Sequence, residues 1–294
     1  MPNTDPAKRY RARFHAVLDY IDTHLQNELR VAELSEIASF SKFHFHRQFQ
    51  HLFGMNVNRY VQLSRMKRAS YQLAFREAPV LEVALANGYE SPESFARAFR
   101  KHVLQSPSNF RAQPDWIAWD KIFQPLSHTR RRHMDIALKP EQIEIVEFPM
   151  TQIALLEHRG DPRHIGDSIR KLIAWRKQYR LHPSVSATFN VLYEDPDAVP
   201  AEQFRIGLAA STTDPIAPNE YGIVASTIPA GRCAKLRVTG SDPVWEGALR
   251  LLYSEWLPSS GEEPRDFPLF LQRVAFYPDV AENEAITDIF LPLR

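Results

Sequence analysis

Apolar residues in the N-terminal part of the chain recur at helical intervals. Val31, Leu34, Ile37 and Ala38 stand at i, i+3 and i+4 spacings, and Val80, Val83, Ala84 and Tyr89 echo them. Each group leads to a turn position, Ser39 in one and Gly88 in the other, where glycine accepts φ > 0. A serine suited to cap a helix follows, Ser41 or Ser91, and Pro92 falls at a first helical position. Both stretches then read S-x-x-x-F-x-R-x-F, from Ser41 to Phe49 and from Ser91 to Phe99. The phenylalanines in each lie four apart and predict a buried stripe. Each copy therefore reads helix, short turn, capped helix. Residues 1–112 are expected to form an all-α tandem helix-turn-helix domain.

The same periodicity turns Lys42, Phe43, His46 and Arg47 outward in the first copy. In the second it turns out Glu93, Ser94, Arg97 and Lys101. Arg47 and Arg97 occupy matched places. An arginine there either meets guanine O6 and N7 in a major groove or is simply solvated, and the repetition favours DNA. Phe43 either touches a thymine methyl or packs under a neighbouring loop. Residues 56–75 contain no Pro or Gly, and Tyr60, Leu63, Ala69 and Leu73 recur near helical spacing. They predict a long connecting helix with Arg65, Lys67 and Arg68 exposed as phosphate contacts. Such a helix would hold two reading heads about one DNA turn apart, roughly 34 Å. Residues 113–138, with Pro114 and Pro125, read as a solvated linker; phosphate contact by its run Arg130 to His133 is the second reading.

The C-terminal half is duplicated too. Pro149 matches Pro229, Ala154 matches Ala234, and Gly160 matches Gly240. Each copy continues into a helix-like stretch, His164 to Tyr179 or Pro243 to Trp256, and then into two strand-like runs. Residues 139–294 thus predict an α+β domain of two repeated halves, an antiparallel sheet with helices. A cleft between related halves is a default ligand site. Trp175, Phe189, Tyr193, Trp245, Gln272 and Phe276 are its candidate lining.

Composition narrows the function classes. The chain has 294 residues, 44% hydrophobic and 24% charged, as expected of a soluble multidomain protein. No apolar run is long enough for a membrane span, and the first residues lack a secretory h-region, so a cytoplasmic location is expected. Net charge is +1, but it divides unevenly. Residues 1–133 hold 20 Lys and Arg against 12 Asp and Glu, and residues 134–294 hold 16 against 23. A basic half joined to an acidic half points to a polyanion partner for the first.

Residues 14–112 resemble the tandem helix-turn-helix domain of the AraC/XylS family of bacterial transcription regulators. The matching pieces are Leu34 to Phe49, Leu52 to Tyr60, Arg65 to Ala69, Val83 to Lys101 and Gln105 to Arg111. One departure stands out: the family's Phe-Gly pair is kept at Phe53-Gly54 but replaced by Val103-Leu104, which puts the second turn in question. Residues 139–294 resemble the GyrI-like effector-binding domain through Pro149, Gly160 to Pro162, Pro229 to Arg232, Trp256 to Gly261, Arg265 to Pro268 and Thr287 to Leu293. The resemblance implies double-stranded DNA and a small-molecule effector as partners, with RNA polymerase as a further one. It leaves monomer and homodimer open. Relatives that bind cations carry a buried glutamate where this chain has Gln272, so a neutral amphipathic effector stands beside a cationic one. A C-terminal domain that binds a protein and no small molecule is the alternative.

An enzyme is not expected. Gln272 supplies no general base. Cys233, the single cysteine, excludes a disulfide or a cysteine-based zinc site and reads as a buried structural thiol. No phosphate loop, dinucleotide fingerprint or metal spacing is present, so no cofactor and no metal is expected.

Overall fold

A computed structural model describes residues 6–133, 138–240 and 243–294. They fall into two compact units, Met1–Asp135 with Tyr277–Asn283, and Ile136–Phe276 with Glu284–Arg294.

The first unit is helical. Its elements are α1 (Pro6–Thr23), α2 (Val31–Ile37), α3 (Lys42–Phe53), α4 (Val57–Phe75), α5 (Val80–Ala86), α6 (Pro92–Val103), α7 (Pro107–Ala112) and α8 (Trp116–His133). Serines start the paired helices as expected. Ser41 Oγ accepts from the His44 amide at 3.4 Å, and Ser91 Oγ from the Ser94 amide at 3.2 Å. The preceding turns both use positive φ, 55° at Ser39 and 77° at Gly88. Only Gly88 is sterically bound to be glycine: a Cβ there would lie 3.0 Å from the Leu25 carbonyl and 2.9 Å from Arg65. Phe45, Phe49, Phe95 and Phe99 are all fully buried. The Val103-Leu104 departure leaves the turn unchanged, because Leu104 adopts φ 65°, ψ 5° where Gly54 adopts 66°, 3°.

Two expectations fail here. Residues 116–133 of the expected linker form α8, and Trp116, Phe123, Leu126 and Arg130 of it are buried. Their spacing is helical, and Pro125 is tolerated on the exposed side. The side chains of Arg131 to His133 lie outside the described residues. The second failure is α4. It is a core helix, and Arg65 and Lys67 are occupied within the protein. Arg65 donates to the carbonyls of Leu25 at 2.9 Å and Asn27 at 2.6 Å, and Arg68 is half-buried. Lys67 is 8% exposed and donates to Glu282 Oε1 at 2.8 Å.

Glu282 belongs to the segment Tyr277–Asn283, which the helical unit takes in as a second piece of chain. Its Oε2 lies 3.5 Å from Arg130 Nη1. Arg130 donates also to Asp22, and its Nε donates to Tyr60 Oη at 2.8 Å. Around this buried cluster, Arg76 forks onto Asp279 at 2.6 and 2.7 Å, and Tyr277 packs edge-on to Tyr71. Two anions and two cations are paired away from water, so removing any one strands its partner.

The second unit holds β1 (Ile143–Phe148), β2 (Thr151–Arg159), α9 (Ile165–Gln178), β3 (Thr188–Leu192), β4 (Arg205–Ser211), β5 (Val224–Ile228), β6 (Gly231–Thr239), α10 (Pro243–Arg250), α11 (Leu257–Ser260), β7 (Phe270–Ala275) and β8 (Ile286–Pro292). A π-helical turn, Leu251–Trp256, joins α10 to α11. The duplication is thus ββαββ twice. Ser241 and Asp242 of the second copy's matching turn lie outside the described residues. Among the described residues eight strands form one antiparallel sheet ordered β1-β6-β8-β7-β3-β4-β2-β5. Exchanging the halves reverses this order onto itself, which places a pseudo-twofold between β7 and β3. Each half also lends its first strand to the other.

That exchange forces the sheet to curl. β1 and β2 lie six strands apart in the order, about 29 Å in a flat sheet. Only Pro149 and Met150 join them, a reach of at most ~11 Å. Phe148 on β1 accordingly meets Phe270 and Phe290 at 4.8 and 5.1 Å between ring centroids. Both long helices pack on the opposite, outer face. Leu172 and Trp175 of α9 meet Ala154, Leu156 and Leu208, while Ala248, Leu251 and Leu252 meet Leu236, Leu271 and Ile289.

Candidate nucleic-acid interface and sheet face

α3 and α6 present matched outer surfaces. Lys42, Phe43, His46 and Arg47 are exposed on α3; Glu93, Arg97 and Lys101 are exposed on α6. Phe43 is 85% exposed, so it packs under no loop. Ser94 departs from expectation: it is half-buried, and its hydroxyl donates back to the Ser91 carbonyl at 2.9 Å. Capping, rather than an outward contact, occupies it. The phenylalanine stripe fixes the roll of each helix, which places Arg47 and Arg97 at equivalent positions. The first unit thus leaves every expected base-reading residue except Ser94 exposed. It withdraws Arg65 and Lys67 from the expected phosphate-contacting surface.

In the second unit the inner sheet face joins Phe148, Phe189, Phe270 and Phe290 with Ile153, Leu155 and Ile228. Phe189 and Gln272 are cross-strand partners on this face, and Tyr193 packs against the same cluster beneath the Arg205 guanidinium at 5.1 Å. Trp175 and Trp245 do not join them. Trp175 is buried on the outer face under α9, and Trp245 packs on the outer cluster beside Arg273. Strand parity explains this: Arg273 is one residue from Gln272 and points the other way. Phe276 follows the end of β7, is half-buried, and has no place in the strand register.

Sequence reasoning missed Asp288, the cross-strand partner of Gln272. Its carboxylate takes a two-pronged bond from Arg237, at 2.6 and 2.8 Å, and lies 3.4 Å from Lys235. Burial raises its pKa, but the Arg237 hydrogen bond and the two positive charges more than offset this, so the pKa is lowered. An acid two residues before Phe290 on an apolar strand was the available signal. Arg265 was also missed. It donates to the Ala230 and Pro229 carbonyls at 2.5 and 3.3 Å, so two of the quoted family motifs touch. Cys233 is buried, and burial pushes its thiol up to about 11, far from a nucleophile's range. An open cleft of about 600 Å³ runs beside the Pro149–Met150 link, lined by Met150, Leu181, Val185 and Ser211 among others; none was foreseen. Among the described residues no helix is long and apolar enough to cross a membrane, and no group of three potential ligands could hold a metal ion.

Residues 141–294 match the family model described as a GyrI-like small molecule binding domain, and residues 34–113 match a helix-turn-helix domain model. The chain belongs to the GyrI-like family. The N-terminal region of this GyrI-like protein carries a helix-turn-helix domain. The probable transcriptional regulator YgiV of Escherichia coli K12 is 35% identical over 157 residues, 51% of this chain and 95% of YgiV. The uncharacterized HTH-type transcriptional regulator YbfP of Bacillus subtilis is 33% identical over 102 residues, 35% of each chain. A solved DNA-binding domain of the transcription factor AdpA, in complex with a target DNA, is 28% identical with a TM-score of 0.32; the match covers 35% of this GyrI-like chain and 90% of that one.

Proposed function

We propose that this GyrI-like protein is a transcription regulator that reads double-stranded DNA through α3 and α6 and senses a small molecule through its sheet. The matched recognition surfaces carry the first part: two serine-capped helices, rolled alike by buried phenylalanines, each show an exposed arginine at the same place. Arg47 and Arg97 are the base-reading residues, with Lys42, Phe43, His46, Glu93 and Lys101 around them.

The effector we favour is neutral and amphipathic. Phe189 and Tyr193 offer apolar surface, and Gln272 offers an amide that exchanges hydrogen bonds without a charge. The carboxylate opposite it, Asp288, is already held by Arg237 and Lys235. Binding would act by linkage, shifting the balance between arrangements of different promoter affinity. The close packing of the four inner phenylalanines favours a second reading, a protein partner on the exposed surface of the second unit. Neither reading uses catalysis.

Selection of bound sequences from random duplex DNA with the full chain, at fixed salt, tests the DNA reading. The expected result is a bipartite site with half-sites about 10 bp apart. No enrichment would sink it. Thermal-shift screening with neutral and cationic amphiphiles tests the sensing part, and no shift from either class would move the weight to the protein partner.

A further inference from the structure

The first half of α1 carries Lys8, Arg9, Arg11 and Arg13, all exposed, and no acid stands in this helix before Asp19. Among the described residues no carboxylate pairs with any of the four. The positions are not equivalent. Arg13 lays its guanidinium over the Phe40 ring, 5.2 Å from the centroid, and Tyr10 and Phe14 also contact that ring. Phe40 directly precedes Ser41, the cap of α3. The end of α3 that starts the first recognition surface therefore abuts one flank of α1. At about 100° per residue, Arg9 and Arg13 lie ~40° apart on that flank, whereas Arg11 lies ~160° from Arg13, across the buried stripe of Phe14, Leu18 and Ile21.

We infer that Arg9 and Arg13 form a phosphate-binding edge that extends the first recognition surface onto α1 and grips the DNA backbone beside the first half-site. The helix-turn-helix match begins only at residue 34. It also replaces the phosphate contacts that Lys67 and Arg65 do not supply. Arginine suits the task, since its planar fork takes a phosphate with two bonds and keeps its charge at any working pH. Stacking on Phe40 orders Arg13 in advance and leaves its outer edge open. Backbone contacts of this kind add affinity without sequence preference.

This inference rests on the DNA reading above. Its test measures the affinity of the full chain for the duplex it selects, across a range of KCl, for the wild type, Arg9→Ala, Arg13→Ala, the double variant and Arg11→Ala. Each of the first two should flatten the slope of log K against log salt by roughly one, and the double variant by roughly two. Selected and scrambled duplexes should weaken alike. Arg11→Ala, the same charge change on the far flank, should leave the slope within error of the wild type. The cation–π contact to Phe40 is made by Arg13 and not by Arg9, so an Arg9→Ala effect does not come from losing that stack. A wild-type slope in the double variant, or an Arg11→Ala effect equal to that of Arg9→Ala, overturns the edge while DNA binding stands. A wild type that binds no duplex takes both down together.

Discussion

Leu104 holds a left-handed conformation that costs a residue with a Cβ about 1–2 kcal/mol, and its side chain is 69% exposed, so little packing offsets the strain. Leu104→Gly should raise the stability of the helical unit by about 1 kcal/mol, read as a higher urea midpoint at constant slope. Gly88→Ala should do the reverse, since its Cβ would press on the Leu25 carbonyl and on Arg65. Two buried aspartates make opposite predictions for pH. Burial outweighs Arg130 at Asp22 and pushes its pKa up to about 6. Its contribution is fully present below about pH 4 and is lost as pH rises through about 6. Asp288 is lowered by its two cations, so its contribution is present above about pH 4 and is lost as pH falls through its lowered pKa. Urea midpoints between about pH 3 and 7 should show the wild type losing ground to Asp22→Asn as pH rises and gaining on Asp288→Asn.

At the scale of the element, α3 and α6 were legible because their signals are local. A cap, a stripe and a turn residue all lie within a dozen positions. For these helices we expect Arg47→Ala and Arg97→Ala each to relax specificity at the base contacted and to weaken binding by about 1–3 kcal/mol. Unchanged site preference in both, measured by repeating the selection, would remove them as base readers. The failures at Lys67 in α4 and at Arg130 in α8 have one cause. Lys67 and Arg130 look like surface residues in any local pattern, because what buries them is a carboxylate more than a hundred positions away. Without Glu282 in view, Arg130 and Pro125 made α8 look like a solvated tether. Tryptophan parity failed similarly: Trp175 and Trp245 sit on helices, and a helix shows which face is apolar but not which face of a sheet it covers.

For the whole molecule, the doubled ββαββ pattern was readable from matched Pro, Ala and Gly positions. The exchange of β1 and β5 between halves was not, because strand partners are chosen over long range by the curl of the sheet. The cluster around Glu282 yields the strongest stability prediction. Glu282→Ala leaves Lys67 and Arg130 buried with half their compensation and should cost about 3–5 kcal/mol. Glu282→Gln, which keeps an acceptor oxygen, should cost less. A double-mutant cycle with Lys67→Met should show strong coupling between the two sites; additive losses would mean that the pair contributes little.

The late position of Glu282 also sets an order of events at the ribosome. All eight helices of the first unit are made before the sheet begins, yet the carboxylate that neutralises their interior follows seven of the eight strands. At ordinary synthesis speeds the gap between Arg130 and Glu282 is about 8–30 s. Throughout it the nascent helical unit carries two cations, Lys67 and Arg130, with Asp22 as their nearby acid and without the carboxylate that pairs with both. The helix-turn-helix half of the chain is therefore finished only when most of the sheet already exists.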